Sequence, residues 1–195
     1  MPHVPKSVDV MEAINQRHSV RDYLPRRLDR DTIRALLAAA VRAPTAMHGE
    51  PWAFAILQDS DALKRLSDRA KTLFAEEARR LHLDQSGRAL DIFSAPEFNI
   101  FYNATTLIVI CGKPIGPFVA ADCWLAAENL MLAAHAMGLG TCVIGSALLA
   151  LNEPAGKAVA GIPTDHTAFA ALIAGVPRGD TSPTPRKAPN IVAWR

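Results

Sequence analysis

Cysteine is scarce in this sequence: Cys111, Cys123 and Cys142 are the only three, and no two of them form a Cys-x-x-Cys pair. An odd number of widely spaced cysteines does not build a disulfide framework, so the sequence indicates reduced thiols and a cytoplasmic location. The six histidines show no His-x-x-x-His or mixed cysteine and histidine spacing typical of a metal site. We therefore expect no bound metal ion.

Excess charge and uninterrupted apolar runs are also missing. The 21 lysines and arginines against 19 acidic residues leave a formal charge of +2 without a like-charged run, which disfavours a nucleic-acid partner. The longest apolar stretch, 118–139, contains Asp122, Glu128, Asn129 and His135, so it predicts a buried helix and no membrane span. We expect His135 to be a hydrogen-bonded core residue of this helix. No apolar stretch with a small-residue cleavage site opens the sequence, so we expect no secretory signal.

Familiar catalytic and nucleotide-binding motifs are absent as well. The sequence has no Gly-x-x-x-x-Gly-Lys-Ser/Thr phosphate loop and no Gly-x-Ser-x-Gly nucleophile elbow. Gly138-Leu139-Gly140 follows a predicted helix instead of opening one, so it fails as a dinucleotide-binding fingerprint. The sequence therefore lacks the common motifs for binding nucleotides and for acyl transfer.

Apolar residues make up 50% of the chain, enough for the core of one α+β domain over 1–195 without internal repeats. Caps and helical spacing predict helices over 9–17, from 29 until Pro44, and over 61–82, 118–138 and 153–160. Apolar runs predict strands over 51–57, with burial on both faces, and over 105–111 and 166–174, and residues 141–144 form a short strand or an extended loop. We expect 61–104 to be a variable middle region, irregular from 84 onward, and the proline-rich 176–195 to be an extended C-terminal arm that docks on another surface.

The segment Arg17-His18-Ser19-Val20-Arg21 places two guanidinium groups, an imidazole and a hydroxyl at the end of the first predicted helix. Arginine offers planar, bidentate donors that match phosphate oxygens, and serine adds a neutral donor. Such a set of donors is typical of a phosphate site. The alternative is a solvated helix end whose arginines complement the helix dipole.

Two further segments accompany this cluster in the order of a known family. One is Arg42-Ala43-Pro44-Thr45-Ala46-Met47-His48-Gly49-Glu50-Pro51-Trp52, and the other, 126–145, ends in Gly138-Leu139-Gly140-Thr141-Cys142-Val143-Ile144-Gly145. Together the three segments resemble the nitroreductase family of FMN-dependent NAD(P)H oxidoreductases. The family pattern is Arg-x-Ser-x-Arg, then Ala-Pro-Ser-x-x-x-x-Gln-Pro-Trp, then a long helix that runs into Gly-Leu-Gly-Thr. The resemblance covers essentially the whole chain.

The resemblance implies an α+β nitroreductase-like fold, with a central mixed or antiparallel sheet flanked by helices. It also implies an intertwined homodimer that binds FMN at each of two subunit interfaces. The family's phosphate contacts correspond to Arg17, His18, Ser19 and Arg21. The loop that approaches the flavin of the other subunit corresponds to Pro44, Thr45, Ala46, Met47 and His48. Backbone amides near the flavin ring correspond to Val143, Ile144 and Gly145. A late basic phosphate contact corresponds to Arg186 and Lys187, with an ordinary solvated tail as the alternative.

Some positions depart from the family pattern. His48 and Glu50 stand where the family often has asparagine and glutamine. A carboxylate near a flavin opposes the negative charge gained on reduction unless it is paired. Glu50 therefore pairs with an arginine such as Arg21, points away, or caps the local turn. Asn103-Ala104-Thr105 stands where many relatives have Ala-Pro, so Asn103 either touches the flavin or forms a turn.

By this resemblance the flavin carries the chemistry, and no dedicated catalytic side chain is required. NADPH or NADH reduces FMN and leaves, and an acceptor such as a nitroaromatic or a quinone takes its place, which gives ping-pong kinetics. His48 or solvent supplies a proton to the reduced acceptor. One alternative is a reductase of one specific metabolite, or of a conjugated double bond, with incidental nitroreductase activity. Another is a flavin-binding or flavin-storage protein whose acceptor site is occluded by 61–103.

Overall fold

The computed structural model describes residues 8–80, 93, 95–179 and 182–195. The helices are α1 (Val10–Gln16), α2 (Arg30–Ala40), α3 (Ser60–Arg80), α4 (Val119–Ala136), α5 (Leu148–Asn152) and α6 (Pro154–Ala160). The strands are β1 (Trp52–Leu57), β2 (Thr106–Gly112), β3 (Gly140–Val143) and β4 (Thr167–Gly175). Short 3-10 turns occupy Ala46–His48 and Gly145–Ala147.

The helix ends follow from local chemistry. The Oδ1 atom of Asp9 accepts a 2.9 Å hydrogen bond from the amide of Glu12, and that of Asp29 accepts a 2.7 Å bond from the amide of Thr32. These bonds satisfy first-turn amides that have no partner inside the helix. Beyond the end of α4, Gly138 has a φ of 73°, a left-handed conformation that glycine adopts without a Cβ clash. The predicted starts of α1 and α2 and the predicted end of α4 are confirmed.

The four strands form one antiparallel sheet in the order β1-β2-β4-β3. Beyond β3, Ser19 makes a parallel bridge with Thr141, so the segment after α1 extends the sheet at this edge. Tyr23 makes an antiparallel bridge with Pro177, just after β4. The predicted mixed or antiparallel sheet flanked by helices is therefore confirmed.

Both faces of the sheet are covered. On one face, α3, α5 and α6 pack against a core that includes Leu107, Val109 and Ala171. On the other face, α2 and α4 pack against a core that includes Ile108 and Ile110. Alternate residues of β1 join the two cores, so the predicted burial on both faces of this strand is confirmed, although each of its residues stays partly accessible at the sheet edge.

The middle of the chain differs from its expected form in part. The predicted helix over 61–82 is observed as α3, and Leu63, Leu66 and Ala70 are buried on its inner face. Residues 95–104 form turns, as expected for an irregular stretch, and the remainder of 84–94 apart from Phe93 lies outside the described residues. Helix α5 was not predicted, because its five residues carry no side-chain cap and too short a pattern to show helical spacing.

Two further observations concern longer segments. The residues of 182–195 have no helix or strand and are exposed, in line with an extended arm. Among the described residues, no helix combines the length and the apolar character needed to cross a lipid bilayer.

Candidate functional site

The basic segment lies along the outer edge of β3. The amide of Val20 donates a 2.9 Å hydrogen bond to the carbonyl of Thr141. A Cβ placed on Gly140 would lie 2.7 Å from the Cβ of Val20, so only glycine allows the two backbones to approach this closely. The hydroxyl of buried Tyr23 donates a 2.7 Å bond to the carbonyl of Val20, and burial raises the pKa of this phenol. Sheet pairing and Tyr23 therefore hold Ser19–Arg21 in a defined position.

Arg17 is the most desolvated cation of this segment. Its Nε lies 3.2 Å from Oε1 of Glu128 on α4, and only 21% of its side chain is exposed. This Nε is buried and has no hydrogen-bond partner among the described residues, because the ion pair does not align the N–H with the carboxylate. Arg17 and His18 line a cleft of about 230 Å³ together with the backbone turn around Gly138. A buried donor without a hydrogen bond costs free energy unless a ligand satisfies it.

Ser19 and Arg21 are exposed and converge on a buried thiol. Burial raises the pKa of Cys142, while the positive charge of Arg21 and hydrogen bonds with Ser19 and Arg21 lower it. The guanidinium carbon of Arg21 also lies 5.9 Å from the ring centroid of Tyr102. These contacts place the hydroxyl and the second guanidinium side by side above β3.

The turn after β3 adjoins Arg21. A cleft of about 110 Å³ is lined by Arg21, by the turn 143–146, and by the aromatic rings of Phe98 and Tyr102. The amide of Ile144 donates a 2.8 Å bond to the carbonyl of Ala171, so the sheet already uses it. The structure thus brings Arg17–Arg21 and Val143–Gly145 together, but it leaves fewer than three amides of this turn for a ligand.

The loop Pro44–His48 precedes β1, the strand at the opposite edge of the sheet. Its Ala46 amide donates a 3.2 Å hydrogen bond to Oδ1 of Asp122, a buried residue in the first turn of α4. Met47 and His48 have φ angles of 54° and 53°, in the left-handed region that costs non-glycine residues about 1–3 kcal/mol each. Met47 is 92% exposed. The loop therefore holds an apolar side chain outward in a strained conformation.

Within a single chain the loop and the basic segment lie at opposite edges of the sheet. The loop precedes β1, whereas the basic segment flanks β3. These strands are the two edges of the sheet, three strand spacings or about 14 Å apart. The hydrogen bond to Asp122 further ties the loop to the first turn of α4, whereas Gly138, beside Arg17, follows its last turn.

Four other candidate residues have different surroundings. Arg186 and Lys187 are exposed and make no hydrogen bond or ion pair with the rest of the described chain. Glu50 is exposed with a φ of 40°, and it forms no ion pair with Arg21. Asn103 has a φ of 56° and accepts a hydrogen bond from Asn99 at 3.3 Å, which favours its role in a turn.

The expectation for His135 was wrong. This histidine is half-buried and lines the cleft beside Arg17 and His18, without a side-chain hydrogen bond among the residues described. Partial burial lowers its pKa, and the neighbouring charges of His18 and Arg17 lower it further. The physical reason is its place in the last turn of α4, where the helix runs past the core and reaches α1 and the surface.

Sequence reasoning missed three residues that shape these surfaces. Glu128 and Asp122 had signalled only a helix in a soluble protein, yet the first pairs with Arg17 and the second anchors the loop. Gly140 had been noted as part of a failed fingerprint and of a family segment, but its close approach to Val20 had not been predicted. One sequence signal could have identified Asp122 and Glu128. An acidic residue within an apolar helix is costly to bury unless a partner pairs with it.

The fold matches that of flavoproteins of one structural class. A solved nitroreductase of Bacteroides fragilis with bound FMN superposes with a TM-score of 0.80 at 26% identity, covering 96% of this chain and 99% of that one. A structure of iodotyrosine deiodinase bound to FMN and 3-iodo-L-tyrosine has the same fold, with a TM-score of 0.75 at 22% identity, covering 96% and 99%. A protein of Archaeoglobus fulgidus named as a candidate NADH dehydrogenase/NAD(P)H nitroreductase is 27% identical over 177 residues, which cover 88% of this chain and 87% of that protein.

The sequence profile of the nitroreductase family matches residues 14–176. The chain therefore belongs to the nitroreductase family, and it is an oxidoreductase. The resemblance inferred from the three sequence segments is confirmed.

Proposed function

We propose that this chain is an FMN-dependent oxidoreductase whose phosphate site is the Arg17–Arg21 segment. The observation that carries the proposal is the buried Nε of Arg17, which has no hydrogen-bond partner in the described structure and belongs to a side chain that lines a cleft with His18. Phosphate oxygens satisfy such donors through charge-assisted bonds, and Ser19 and Arg21 add a hydroxyl and a second guanidinium beside them. This donor set fits the phosphate of FMN.

The turn 143–145 suits the ring of the same cofactor. Gly145 opens the 3-10 turn, and a Cβ built there meets nothing within 4 Å, so a planar group can approach its backbone closely. Arg21 lies in the same cleft and would compensate negative charge near the ring. FMN, when bound, supplies hydride and electron transfer. The protein's part is to fix the phosphate, present an amide and a cation to the ring, and leave one face open.

We infer that NADH or NADPH is the reductant, and that quinones, nitroaromatics or related electron-poor molecules are acceptors. The name of the Archaeoglobus relative supports a nicotinamide reductant. Because the described chain shows no separate nucleotide-binding motif, reductant and acceptor would use one open face in turn, which predicts ping-pong kinetics.

Anaerobic reduction and reoxidation test this function. We expect purified protein loaded with FMN to lose its visible flavin absorbance with NADPH or NADH, and to regain it with a quinone over many cycles. Free FMN at the same concentration is the control for uncatalysed reduction. A flavin that responds to neither nicotinamide would contradict the proposal and favour the storage alternative, for which the narrow cleft under Phe98 and Tyr102 is the structural argument.

We also propose that two chains build each site. The loop Pro44–His48 precedes β1, about 14 Å across the sheet from β3, and the basic segment lies beyond β3, so the loop would reach the flavin of a second subunit. Helix α4 exposes Trp124 and Leu125, and the tail exposes Val192 and Trp194, apolar side chains that a dimer would bury.

Light scattering with FMN titration tests the dimer. We expect the mass of two chains for the FMN-loaded protein. We also expect a loss of FMN affinity when dilution or a Trp124→Glu substitution separates the subunits, because the loop then no longer covers the flavin. An Arg34→Glu variant, which reverses a charge on the exposed face of α2, should stay dimeric. A monomer that binds FMN tightly would disprove the two-chain site.

A further inference from the structure

A second cleft, of about 510 Å³, lies between the loop 46–51 and the segment that joins β2 to α4. Its walls are mainly apolar and include Met47, Ile115 and Phe118. Its volume is within the range typical of sites for small organic molecules. Met47 belongs both to this wall and to the loop proposed to reach the partner's FMN, so the cleft adjoins the place proposed for that flavin. This step rests on the proposed function.

His166, a titratable residue of this cleft, is oriented by a neighbouring carboxylate. Nδ1 of His166, the residue before β4, lies 2.8 Å from Oδ1 of Asp165 and donates a hydrogen bond to it. His166 lines the cleft and only 16% of its side chain is exposed. Since Asp165 holds the Nδ1 edge, Nε2 is the ring nitrogen left for a molecule in the cleft, and it has no hydrogen-bond partner among the described residues.

Charged groups fix the position of the His166 ring. Hydrogen bonds from His166 and from Lys113 lower the pKa of Asp165 to about 2, so the carboxylate stays ionised and accepts from Nδ1. Lys113 Nζ lies 3.0 Å from Oδ2 of the same carboxylate. Asp122 also lines the cleft, and its Oδ1 accepts from the Ala46 amide. A carboxylate that orients a histidine through Nδ1 is an arrangement used in acid and base catalysis.

We propose that His166 is the proton donor to a planar, electron-poor acceptor, such as a quinone, bound in this cleft. Reduction of a quinone to a hydroquinone requires two electrons and two protons. A hydride, originating from NADH or NADPH, carries both electrons and one proton. The second proton leaves Nε2 of His166 as the new O–H bond forms, and the neutral imidazole regains a proton from water. This assigns to His166 the role that the sequence had suggested for His48, which is exposed and does not line the cleft.

The test separates the two half-reactions by stopped flow, with tetramethylbenzoquinone as the acceptor. We expect His166→Gln to slow flavin reoxidation by the quinone about 100-fold, the lower end of general acid catalysis, and to leave reduction by NADPH unchanged. Asp165→Asn should also slow reoxidation by the quinone, because the ring loses the carboxylate that orients it.

Lys157→Gln serves as the control, since Lys157 donates a hydrogen bond to the carbonyl of Thr164 in the same turn but does not line the cleft. A readout independent of turnover is NMR titration with tetramethylhydroquinone. The imidazole signal that His166→Gln removes should shift on binding in the unaltered protein. An unchanged reoxidation rate in His166→Gln, or no shift of this signal, would overturn the proposal.

The outcome is distinct from failure of the proposed function. If NADPH does not reduce the flavin, dithionite reduces it chemically, and reoxidation by the quinone still measures the contribution of His166. A loss confined to the NADPH step contradicts the proposed reductant alone. A loss confined to reoxidation in His166→Gln supports the proton donor.

Discussion

Replacement of Arg21 or Arg17 by alanine is expected to weaken FMN binding by about 10-fold to 150-fold. Each change removes a charge-assisted hydrogen bond to phosphate or flavin, worth about 1.5–3 kcal/mol. For Arg17 the loss should be at the upper end, because its removal also leaves Glu128 without its cationic partner, next to the bound phosphate. Titration of the apoprotein with FMN, followed by quenching of flavin fluorescence, measures the effect.

Conservative and distant variants sharpen this test. Arg17→Lys keeps the charge but loses the planar fork, so it should bind FMN with an affinity between those of the unaltered protein and Arg17→Ala. Arg34→Ala removes an exposed guanidinium on α2 that pairs with Asp31 and should leave the affinity unchanged. Full retention of FMN affinity by both Arg17→Ala and Arg21→Ala would rule out this phosphate site.

Gly156→Ala is expected to destabilise the protein by about 3 kcal/mol. Gly156 is buried in α6, and a Cβ placed on it would lie 1.8 Å from the carbonyl oxygen of Ala150 and 2.7 Å from its carbonyl carbon. Backbone atoms cannot move aside as a flexible side chain can, so α5 and α6 must separate. For a chain of this size the loss corresponds to a fall in Tm of about 6–12 °C.

Thermal unfolding of the apoprotein measures this change without the stabilisation that bound FMN would add. Gly145→Ala is the matched control, because a Cβ at that position meets nothing within 4 Å, and its Tm should change little. If Gly156→Ala unfolds at the same temperature as Gly145→Ala, the close packing of α5 on α6 is not as described.

Local patterns were sufficient for the elements whose ends depend on neighbouring residues. Asp9 and Asp29 cap α1 and α2, and Gly138 follows α4, because each interaction is made within about one helical turn. By contrast, α5 and the surroundings of His135 were not predictable. Helix α5 lacks a side-chain cap and sufficient length, and the surroundings of His135 depend on how far α4 extends beyond the sheet.

The candidate site shows the same division. The donor chemistry of Arg17–Arg21 and its place beside Gly138–Gly145 could be inferred from three ordered segments, and the fold brings these two together. The hydrogen bond from the Ile144 amide to the Ala171 carbonyl could not be inferred from the sequence, since it depends on the register of β3 against β4. The position of Pro44–His48 at the far edge of the sheet could not be inferred either, since long-range pairing decides the strand order.

The sequence by itself determined the class of fold, the positions of most helices and strands, and the donor groups of the proposed phosphate site, because caps, periodicity and residue type act over a few neighbouring residues. Only the tertiary structure decided which side chains meet. It joined Arg17 to Glu128, Asp122 to the loop at Ala46, and Lys113 to the Asp165–His166 pair. Such contacts arise when packing brings distant segments together, and no local pattern of residues specifies them.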